Sequence, residues 1–532
     1  MVITMLKHAI AVLLVVLLNA GCTTLPPGAS FPKIASTALA HPENTVLGKN
    51  FDQAAHVNEG NSGFRIIPTG ADGFLIRMQM INAAERTIDL QYFIFRGDET
   101  GRLLTSALIS AADRGVRVHV LIDDGETIAG DEQIVALEAH PSIEIRIFNP
   151  FAYRGHNQFL RAMEFMFNSS RLDYRMHNKL LVVDNVIALI GGRNIGDQYF
   201  QIAPDSQFAD DDLFAVGPIT PKLSMTFDEY WNNDLSIPLQ ALSNKKYSQL
   251  ALNNHREELT EERHQLKKDG VDYVKRIGTG EPFNSIISGR LPLIWAHVQL
   301  MCDSPDKKKV ESGAMVGRLM QRGVADATIA VQSELLMVTP YLIPGKEGMQ
   351  LFKELRQRHV DIRILTNSLE SSTVLLAQAG YMHYRKSLLE EGVELYEIRS
   401  QLGNSIGSGQ TPAISHYGNY SLHGKFFVLD QKRLFVGSMN FDQRSMHLNT
   451  EIGLIIDSPV LAQQVAARFE AMVQPVNSYR LVLSPKTDNG QHLVWHTREG
   501  GQDVAYTKEP ARTDWQRIKA TILTLLPLDS EL

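Results

Sequence analysis

From about residue 64 onwards the chain alternates between short apolar runs and longer amphipathic stretches. Apolar runs bounded by turn-forming residues are typical of buried strands, and apolar positions that recur every three to four residues are typical of helices. The pattern predicts strands at 87–95, 116–122 and 143–148, with a helix at 103–114. Strands that alternate with helices predict an α/β sheet with helices packed on its faces.

The same order of elements returns in the second part of the chain. Strands are predicted at 334–343, 360–366 and 393–398, and a helix is predicted at 351–359. The repeat is far longer than one unit of a solenoid, so it indicates duplication of a domain. We therefore predict two similar halves that face one another across a single cleft.

A polar motif stands at the start of a strand in the first half. His177 and Lys179 precede an apolar run that ends in a turn beginning at Asp184, and a second strand leads into a glycine-rich segment that contains Asn194. Alternate side chains of a strand share a face, so His177 and Lys179 project together. Alone, such a pair would indicate only a polar strand end.

The second half contains the same motif in the same register. His423, Lys425, Asp430 and Asn440 keep the distances along the chain that separate the four residues of the first motif, and Ser438 precedes Asn440 by two residues. One such motif arises easily by chance, whereas two copies in register do not. The duplication predicts one active site to which each half supplies a histidine and a lysine.

These residue types suit attack on a phosphodiester. One imidazole can attack phosphorus and form a covalent phosphoenzyme, while the other protonates the departing alcohol. The two lysines can offset the charge that grows on the non-bridging oxygens in the transition state. We expect Asn194 and Asn440 to donate hydrogen bonds to the same oxygens, and Ser438, near the predicted start of a helix, to add to this anion site.

Acidic residues are expected to orient the two imidazoles, because a carboxylate on the far ring nitrogen fixes the tautomer. Glu451 follows His423 in a strand-like run, and we assign it to that histidine. Asp210 stands at the matching place in the first half, counted back from a corresponding proline, and we assign it to His177.

The aspartates of the two motifs, Asp184 and Asp430, belong to the catalytic motif but have a different predicted role. Each lies on the opposite face of its strand from the histidine, since it is an odd number of residues away. We therefore expect them to hold the turn and the lysine, and not to contact phosphorus.

Composition excludes several classes of function. The formal net charge of −7 disfavours a general nucleic-acid binder, so no nucleic-acid partner is expected. The two cysteines, Cys22 and Cys302, rule out a disulfide framework. The chain has no H-E-x-x-H run and no Cys/His cluster with ligand spacing, and two lysines already supply positive charge. We predict no metal and no other cofactor.

The N-terminus predicts export. Lys7 precedes an apolar run at 9–18, and small residues stand immediately before Cys22, as in a secretory signal. The pattern resembles the bacterial lipoprotein signal, which implies a lipid attached to Cys22 and a protein that faces the periplasm of a Gram-negative bacterium. An ordinary cleaved signal and an uncleaved anchor stay open as alternatives. In lipoproteins Thr23 at the next position favours the outer membrane.

The chain is divided into six predicted segments. They are a signal peptide at 1–22, a tether at 23–60, a first half at 61–236, a linker or insertion at 237–315, a second half at 316–475, and a C-terminal extension with an amphipathic helix at 476–532. Within the linker, the lysine run 307–309 is typical of a solvated loop.

Two apolar stretches could meet a membrane. The stretch 151–167, rich in phenylalanine, is either the lip of a lipid-facing cleft or a buried connector. The C-terminal stripe from Trp515 to Leu526 follows helical spacing, which favours a docked helix over a membrane anchor.

The paired H-x-K-x4-D motifs, each followed by G-G/S-x-N, resemble those of the phospholipase D superfamily. The stretches 191–200, 291–296 and 440–445 are further similar to the C-type bacterial cardiolipin synthases. This resemblance, which extends from about residue 64 to the C-terminal helix, implies a duplicated phospholipase D-like fold with one active site between the halves. The lipoprotein-like leader is a departure from those enzymes.

The resemblance also implies a reaction. Those relatives transfer a phosphatidyl group from phosphatidylethanolamine to phosphatidylglycerol at a membrane surface, giving cardiolipin and releasing ethanolamine. By analogy His177 is the nucleophile and His423 the general acid and base. Three alternatives stay open at this point: a phospholipase D that uses water as the acceptor, a nuclease, and a lipid-binding lipoprotein without catalytic activity.

Overall fold

Each half of the chain builds one mixed β-sheet around three parallel strands. The computed structural model of the protein describes residues 25–125, 137–155, 157–202, 206–242, 248–268, 276–277, 279–403, 419–486 and 490–526. Within these ranges the strands of the first half and linker are β1 (Ser62–Ile67), β2 (Thr87–Tyr92), β3 (Arg117–Asp123), β4 (Ile143–Phe148), β5 (Lys179–Val183), β6 (Ile187–Gly191), β7 (Ser206–Ala209), β8 (Asp212–Val216), β9 (Ser236–Pro238) and β10 (Ile294–Cys302). Those that follow are β11 (Glu334–Val338), β12 (Asp361–Asn367), β13 (Glu394–Ile398), β14 (Asn419–Leu422), β15 (Phe426–Leu429), β16 (Arg433–Gly437), β17 (Ile452–Asp457), β18 (Ser478–Leu483), β19 (Leu493–Glu499) and β20 (Gln502–Tyr506).

Helices cover both sheets. Those up to the end of the linker are α1 (Val46–Val57), α2 (Gly70–Ala83), α3 (Glu99–Asp113), α4 (Gln158–Leu172), α5 (Ile219–Trp231), α6 (Leu239–Leu242), α7 (Gln249–Lys268), α8 (Phe283–Ile287) and α9 (Lys307–Glu311). Those beyond it are α10 (Met320–Ile329), α11 (Gly345–Gln357), α12 (Leu375–Met382), α13 (Arg385–Glu390), α14 (Gln443–His447), α15 (Pro459–Met472) and α16 (Asp514–Leu523). None of the helices in these described ranges is long and apolar enough to cross a lipid bilayer.

The two sheets repeat one topology. The first has the order β9-β4-β3-β2-β5-β6-β8-β1, in which β2, β3 and β4 are parallel and the other neighbours antiparallel. The second has the order β18-β13-β12-β11-β15-β16-β17, again with three parallel strands. The predicted α/β fold with two repeated halves is therefore confirmed.

The hairpin after each motif shows how closely the halves match. Asp184 and Asn185 have φ of 53° and 55°, and Asp430 and Gln431 have φ of 54° and 55°. In each half these two successive residues in the left-handed region begin a three-residue hairpin loop, since Val183 pairs with Ile187 and Leu429 pairs with Arg433. Aspartate and asparagine tolerate this conformation well. Both motifs therefore enter and leave their hairpins along the same path.

The apolar residues of the strands divide between inner and outer layers. Along β5, Leu180 and Val182 face an inner core shared by both halves, whereas Leu181 and Val183 face an outer core beneath the helices of the first half. The inner core also contains Phe227 of α5 and residues of β15 and α15. This shared core holds the halves together as one body.

Both motifs lie at the same edge of the molecule. β5 runs antiparallel to β2 with Lys179 opposite Tyr92, and β15 runs antiparallel to β11 with Phe426 opposite Val338. The histidines therefore stand where the parallel strands end, an edge that we call the carboxyl edge. Its strand ends are Tyr92, Asp123 and Phe148 in the first sheet, and Val338, Asn367 and Ile398 in the second.

The predicted linker contributes a strand that joins the two sheets. Within β10, Ala296 pairs with Ser62 at the start of β1, and the next residue, His297, pairs with Asp457 at the end of β17. These partners lie at the edge opposite the carboxyl edge. The sheets meet there as well as at the histidines, so the two carboxyl edges face the same direction.

The predicted tether differs from the observed structure in its described part. Leu47 and Phe51 of α1 are buried in the outer core of the first half. Upstream, the Ser36 backbone N–H donates to Asn232 Oδ1 at 2.9 Å, and Arg146 donates to the Ile34 carbonyl at 2.8 Å. Residues 34–57 thus belong to the domain, because the proline- and alanine-rich composition concealed a capped amphipathic helix.

The predicted boundary at 475 is also wrong, because the second sheet continues beyond it. β18 pairs with β13, and β19 and β20 extend the sheet further. The predicted amphipathic helix is present as α16, but its stripe does not dock. Trp515, Ile518 and Ile522 are exposed, whereas Ala520 is buried.

Candidate active site

Strand pairing between the halves assembles the site. β7 and β14 pair in parallel with Ala209 opposite Leu422, so the residues that follow, Asp210 and His423, come side by side. On the other side Met176 forms a parallel bridge with Thr450. The His177 backbone N–H donates to the Thr450 carbonyl at 2.9 Å.

Each histidine is oriented by an acid from the opposite half, so the assignment of the acids by sequence is wrong. His177 Nδ1 lies 3.0 Å from both carboxylate oxygens of Glu451. His423 Nδ1 lies 2.6 Å from Asp210 Oδ2. Each of the two parallel pairings joins a segment of one half to a segment of the other half. The residue that follows the paired position is an acid in one segment and a histidine in the other, so acid and histidine come from different halves. With both Nδ1 atoms engaged, the reactive atom of each ring is Nε2.

Both lysines are buried beside their histidines. Lys179 Nζ donates to the His177 carbonyl at 2.6 Å and lies 5.4 Å from the centre of the Phe93 ring. Lys425 Nζ donates to the His423 carbonyl and lies 3.2 Å from His423 Nδ1. Two lysine amino groups thus stand next to the two imidazoles, where they can bind an anionic group.

Both asparagines are buried, and within the described part of the chain neither forms a hydrogen bond with a histidine or lysine of the motifs. Asn194 Oδ1 accepts a hydrogen bond from the Ile94 backbone N–H at 3.2 Å, which fixes its amide. Asn440 is anchored through its backbone N–H, which donates to Ser445 Oγ at 3.2 Å, and its buried Oδ1 makes no hydrogen bond within the described part of the chain. The unpaired atom is an acceptor, so a ligand hydroxyl could pair with it, whereas an anionic phosphate oxygen could not.

Ser438 has a different role from the one predicted. Its hydroxyl donates to Glu451 Oε2 at 2.5 Å and accepts from the Ile452 backbone N–H at 2.9 Å. Ser445 donates to the other oxygen of Glu451 at 2.7 Å. Ser438 therefore orients the acid behind His177 and does not form part of an anion site. The helix expected nearby, α14, begins only at Gln443.

Asp184 and Asp430 hold the hairpin turns as expected, but they do so without the lysines. The Asp184 carboxylate accepts backbone N–H bonds from residues 85–87 at 2.7 to 2.9 Å. Asp430 accepts in the same way from residues 332–334. Each clamps its turn to the segment that leads into β2 or β11, away from the carboxyl edge.

Burial sets the charge state of the site. Burial, reinforced by the two lysines, lowers the pKa of His177 and of His423 well below the usual value. Burial also lowers the pKa of Lys179 well below its usual value and the pKa of Lys425 to about 8. It raises the pKa of Asp210 and of Glu451 to about 7. Neutral imidazoles therefore prevail in the free enzyme, and an anionic group bound by the lysines would favour protonation of one of them.

Two supporting residues were missed by sequence reasoning. Lys307, in the run predicted to be a solvated loop, is fully buried and lies 3.1 Å from Asp303. Lys307 also donates to the carbonyls of Ser445 and Asn449 at 2.8 Å, and Asp303 accepts from the Glu451 backbone N–H at 3.0 Å. The pair fixes the chain around Glu451, and no spacing in the sequence signals it.

Two further sequence predictions stay as predictions. In the described ranges no group of three or more His, Cys, Asp or Glu is placed to hold a metal ion. Whether the enzyme works without a metal is for experiment to test. Cys22, the predicted site of lipid attachment, lies outside the described residues.

Comparison with known proteins identifies the family. A family model described as "Cardiolipin synthase, PLD-like domain" matches residues 78–231 and 327–473, which include both motifs. Cardiolipin synthase C of Escherichia coli strain K12 is 36 % identical over 472 residues, covering 88 % of this chain and 96 % of that protein. The major cardiolipin synthase ClsA of Bacillus subtilis strain 168 is 24 % identical over 407 residues, covering 76 % of this chain and 67 % of that protein.

A solved structure shares the fold. The phosphatidylserine synthase of Haemophilus influenzae Rd KW20 superposes with a TM-score of 0.52 at 15 % identity, covering 81 % of this chain and 92 % of that one. Its similarity agrees with the two repeated halves described above. The chain therefore belongs to the cardiolipin synthase-like family of the phospholipase D superfamily, and the prediction of a duplicated phospholipase D-type enzyme is confirmed.

Proposed function

We propose that the protein transfers a phosphatidyl group from phosphatidylethanolamine to phosphatidylglycerol at a membrane surface, through a covalent phosphohistidine. One observation carries this proposal: two histidines from different halves share a buried site with two lysines, and a carboxylate holds each histidine at Nδ1, which leaves Nε2 as the reactive nitrogen. Nε2 of His423 lies 3.5 Å from Lys425 Nζ. A nucleophile and an acid of the same residue type suit a reaction whose two steps mirror one another.

In the first step His177 Nε2 attacks the phosphorus of the donor lipid. A nitrogen–phosphorus bond forms, the bond from phosphorus to the ethanolamine oxygen breaks, and His423 Nε2 gives its proton to that oxygen. Lys179 and Lys425, in their charged forms, stabilise the charge on the non-bridging oxygens. In the second step neutral His423 takes the proton of the acceptor hydroxyl. That oxygen then displaces His177 from phosphorus.

An asymmetry between the orienting acids supports this division of roles. Glu451 shares its charge among His177 and the hydroxyls of Ser438 and Ser445. Asp210 has no counterpart of the Ser438 hydroxyl, because Gly192 stands at that position, where a Cβ would lie 2.5 Å from the Asp210 carboxylate. The less dispersed carboxylate favours the imidazolium more strongly, so His423 suits the acid and His177 the neutral nucleophile.

The reaction is tested with purified protein, labelled phosphatidylethanolamine and unlabelled phosphatidylglycerol. Formation of labelled cardiolipin together with ethanolamine, equally with and without EDTA, would support the proposal. Labelled phosphatidic acid as the only product would instead make the enzyme a hydrolase that uses water as the acceptor. His423→Asn, which removes the acid and base, serves as the inactive control.

We also propose that the protein is exported and anchored through a lipid on Cys22, facing the periplasm and attached to the outer membrane. The apolar run and the small residues before Cys22 support this location. Mass spectrometry of the N-terminal peptide, compared with Cys22→Ser, tests it. An N-terminal peptide that begins at Met1 and carries no lipid would contradict the proposal.

A further inference from the structure

Two helices on the surface carry their apolar side chains outward. In α4, Phe159, Met166 and Phe167 are between 53 % and 70 % exposed. In α16, Trp515, Ile518 and Ile522 are between 48 % and 59 % exposed. A surface helix normally buries its apolar stripe and exposes its polar one. Six large apolar side chains exposed in two stripes therefore indicate a surface that binds a partner.

The polar side of α4 is the side that faces the protein. Glu164 accepts backbone N–H bonds from Ala152 and Tyr153 at 2.7 and 2.8 Å. Arg171 donates to Asn149 Oδ1 at 2.6 Å, and Arg161 donates to the Asp124 carbonyl. Specific polar contacts thus fix the orientation of the helix, and its phenylalanines are exposed as a consequence.

The second helix is oriented in the same way. Gln516 donates to the Leu369 carbonyl at 2.7 Å and Arg517 donates to the Glu509 carbonyl at 2.9 Å, so polar groups again fix the helix on the body, where it also packs on α12 and buries Ala520. On the outer face Lys519 Nζ lies 5.4 Å from the centre of the Trp515 ring. An indole beside an ammonium group suits the boundary between acyl chains and anionic headgroups.

Both helices stand at the carboxyl edge, on either side of the active site. α4 is bonded to Asp124, which directly follows the last residue of β3, and it leads into the segment that carries His177. α16 is bonded to Leu369, two residues beyond the end of β12. Asn367, which ends that strand, holds Leu422, the neighbour of His423. One flat surface could therefore contact both stripes while it faces the site.

We propose that α4 and α16 together dock the carboxyl edge on a phospholipid bilayer, so that lipid headgroups enter the site directly from the membrane. This proposal rests on the proposed function for the identity of the substrate. It also agrees with the path of the chain, since Leu25 and Pro26 line a cavity beside α4 with Glu164 and Arg171. Cys22 is three residues away, a span of at most about 10 Å.

The test uses full-length protein and two triple variants, one for each helix. Phe159→Ser, Met166→Ser and Phe167→Ser alter α4, and Trp515→Ser, Ile518→Ser and Ile522→Ser alter α16. The matched control replaces three exposed apolar residues at the opposite edge, Val57→Ser, Ile329→Ser and Val460→Ser. Turnover is measured on vesicles of phosphatidylglycerol and phosphatidylethanolamine, and on short-chain forms of both lipids in monomeric solution.

Each helix variant should lose at least about tenfold in turnover on vesicles, because several large apolar groups no longer insert. On monomeric lipids it should stay within about twofold of the unaltered protein, since exposed positions contribute little to stability. The control should stay within about twofold on both substrates. Helix variants that match the control on vesicles would overturn the proposal. Helix variants that lose turnover only in cells and keep it on vesicles would also overturn the proposal, and they would indicate a protein partner.

A second measurement separates docking from chemistry. Vesicles with brominated acyl chains should quench the fluorescence of Trp515, and this quenching should disappear in Trp515→Phe. Unaltered protein that forms no product from monomeric lipids would refute the proposed reaction while the quenching still reports docking. Quenching that is the same with and without Trp515 would refute docking through α16, whatever the enzyme catalyses.

Discussion

Each histidine contacts the acid of the opposite half, and this arrangement makes a prediction that differs from pairing each histidine with the acid of its own half. Asp210→Asn keeps the size of the side chain but replaces the carboxylate that lies 2.6 Å from His423 Nδ1. Both groups are buried, and a hydrogen bond to a charged group contributes about 1.5–3 kcal/mol. If that contribution is made in the transition state, kcat should fall about 10- to 150-fold. Steady-state kinetics on mixed lipid substrates measures the change.

The partner of Asp210 is identified by double-mutant cycles on the free energy of unfolding in urea, which need no activity. Asp210→Asn combined with His423→Asn should show a coupling energy of about 1.5–3 kcal/mol. Asp210→Asn combined with His177→Asn should be additive to within about 0.5 kcal/mol. The converse result, with the coupling between Asp210 and His177, would refute the crossed arrangement.

Three further predictions concern pH and stability. Ser438→Gly removes a hydroxyl donor from Glu451, so the carboxylate should stabilise the protonated form of His177 more strongly and raise the pKa of that imidazole. The acidic limb of kcat/KM should then move to higher pH by up to about one unit, and an unmoved limb would contradict the role given to Ser438. Both lysines should lose their charge as the pH rises, because burial lowers the pKa of Lys179 well below its usual value and that of Lys425 to about 8; Lys179→Arg and Lys425→Arg keep the charge and should each move the alkaline limb of kcat/KM to higher pH, and a limb that neither variant moves would belong to another group. Asp212→Asn should reduce the free energy of unfolding by about 3–5 kcal/mol, because two buried arginines lose their counter-charge; thermal and urea unfolding measure the loss, and a change below about 1 kcal/mol would show that the arginines find other partners.

The strands and the catalytic residues could be predicted because they leave periodic signals. Apolar runs followed by turn residues mark β5 and β15, and the repeated spacing marks the two histidines and two lysines. These features are short patterns along the chain, so a single sequence is enough to detect them. The duplicated α/β fold follows from the same signals.

Contacts between the halves leave no such signal. Counting along the sequence paired Asp210 with the histidine of its own half, whereas β7 and β14 carry it to His423. The role of Ser438 depends on the same closure, since its acceptor, Glu451, faces the first half. Spacing along the sequence shows which residues of the two halves are equivalent, but it does not show which of them are in contact in the folded protein.

The predicted burial of Lys307 and of the stripe on α16 is wrong, because polar contacts determine which side chains are buried there. Lys307 belongs to a run of three lysines that reads as a solvated loop, yet Asp303 and two carbonyls pair it in the interior. The apolar stripe on α16 predicts a docking face, yet the side that faces the body carries Gln516, Arg517 and Ala520 instead. Apolar periodicity predicts that a face will be covered without identifying what covers it.

The central claim is a phosphatidyl group carried by His177 with His423 as acid and base. Mass spectrometry of peptides from His423→Asn, quenched after mixing with a donor lipid whose leaving group needs no protonation, tests it directly. We expect a phosphatidyl adduct on the peptide that contains His177, and no adduct on the matching peptide of His177→Asn. An adduct on His423 in the His177→Asn protein, with none on His177, would contradict the account.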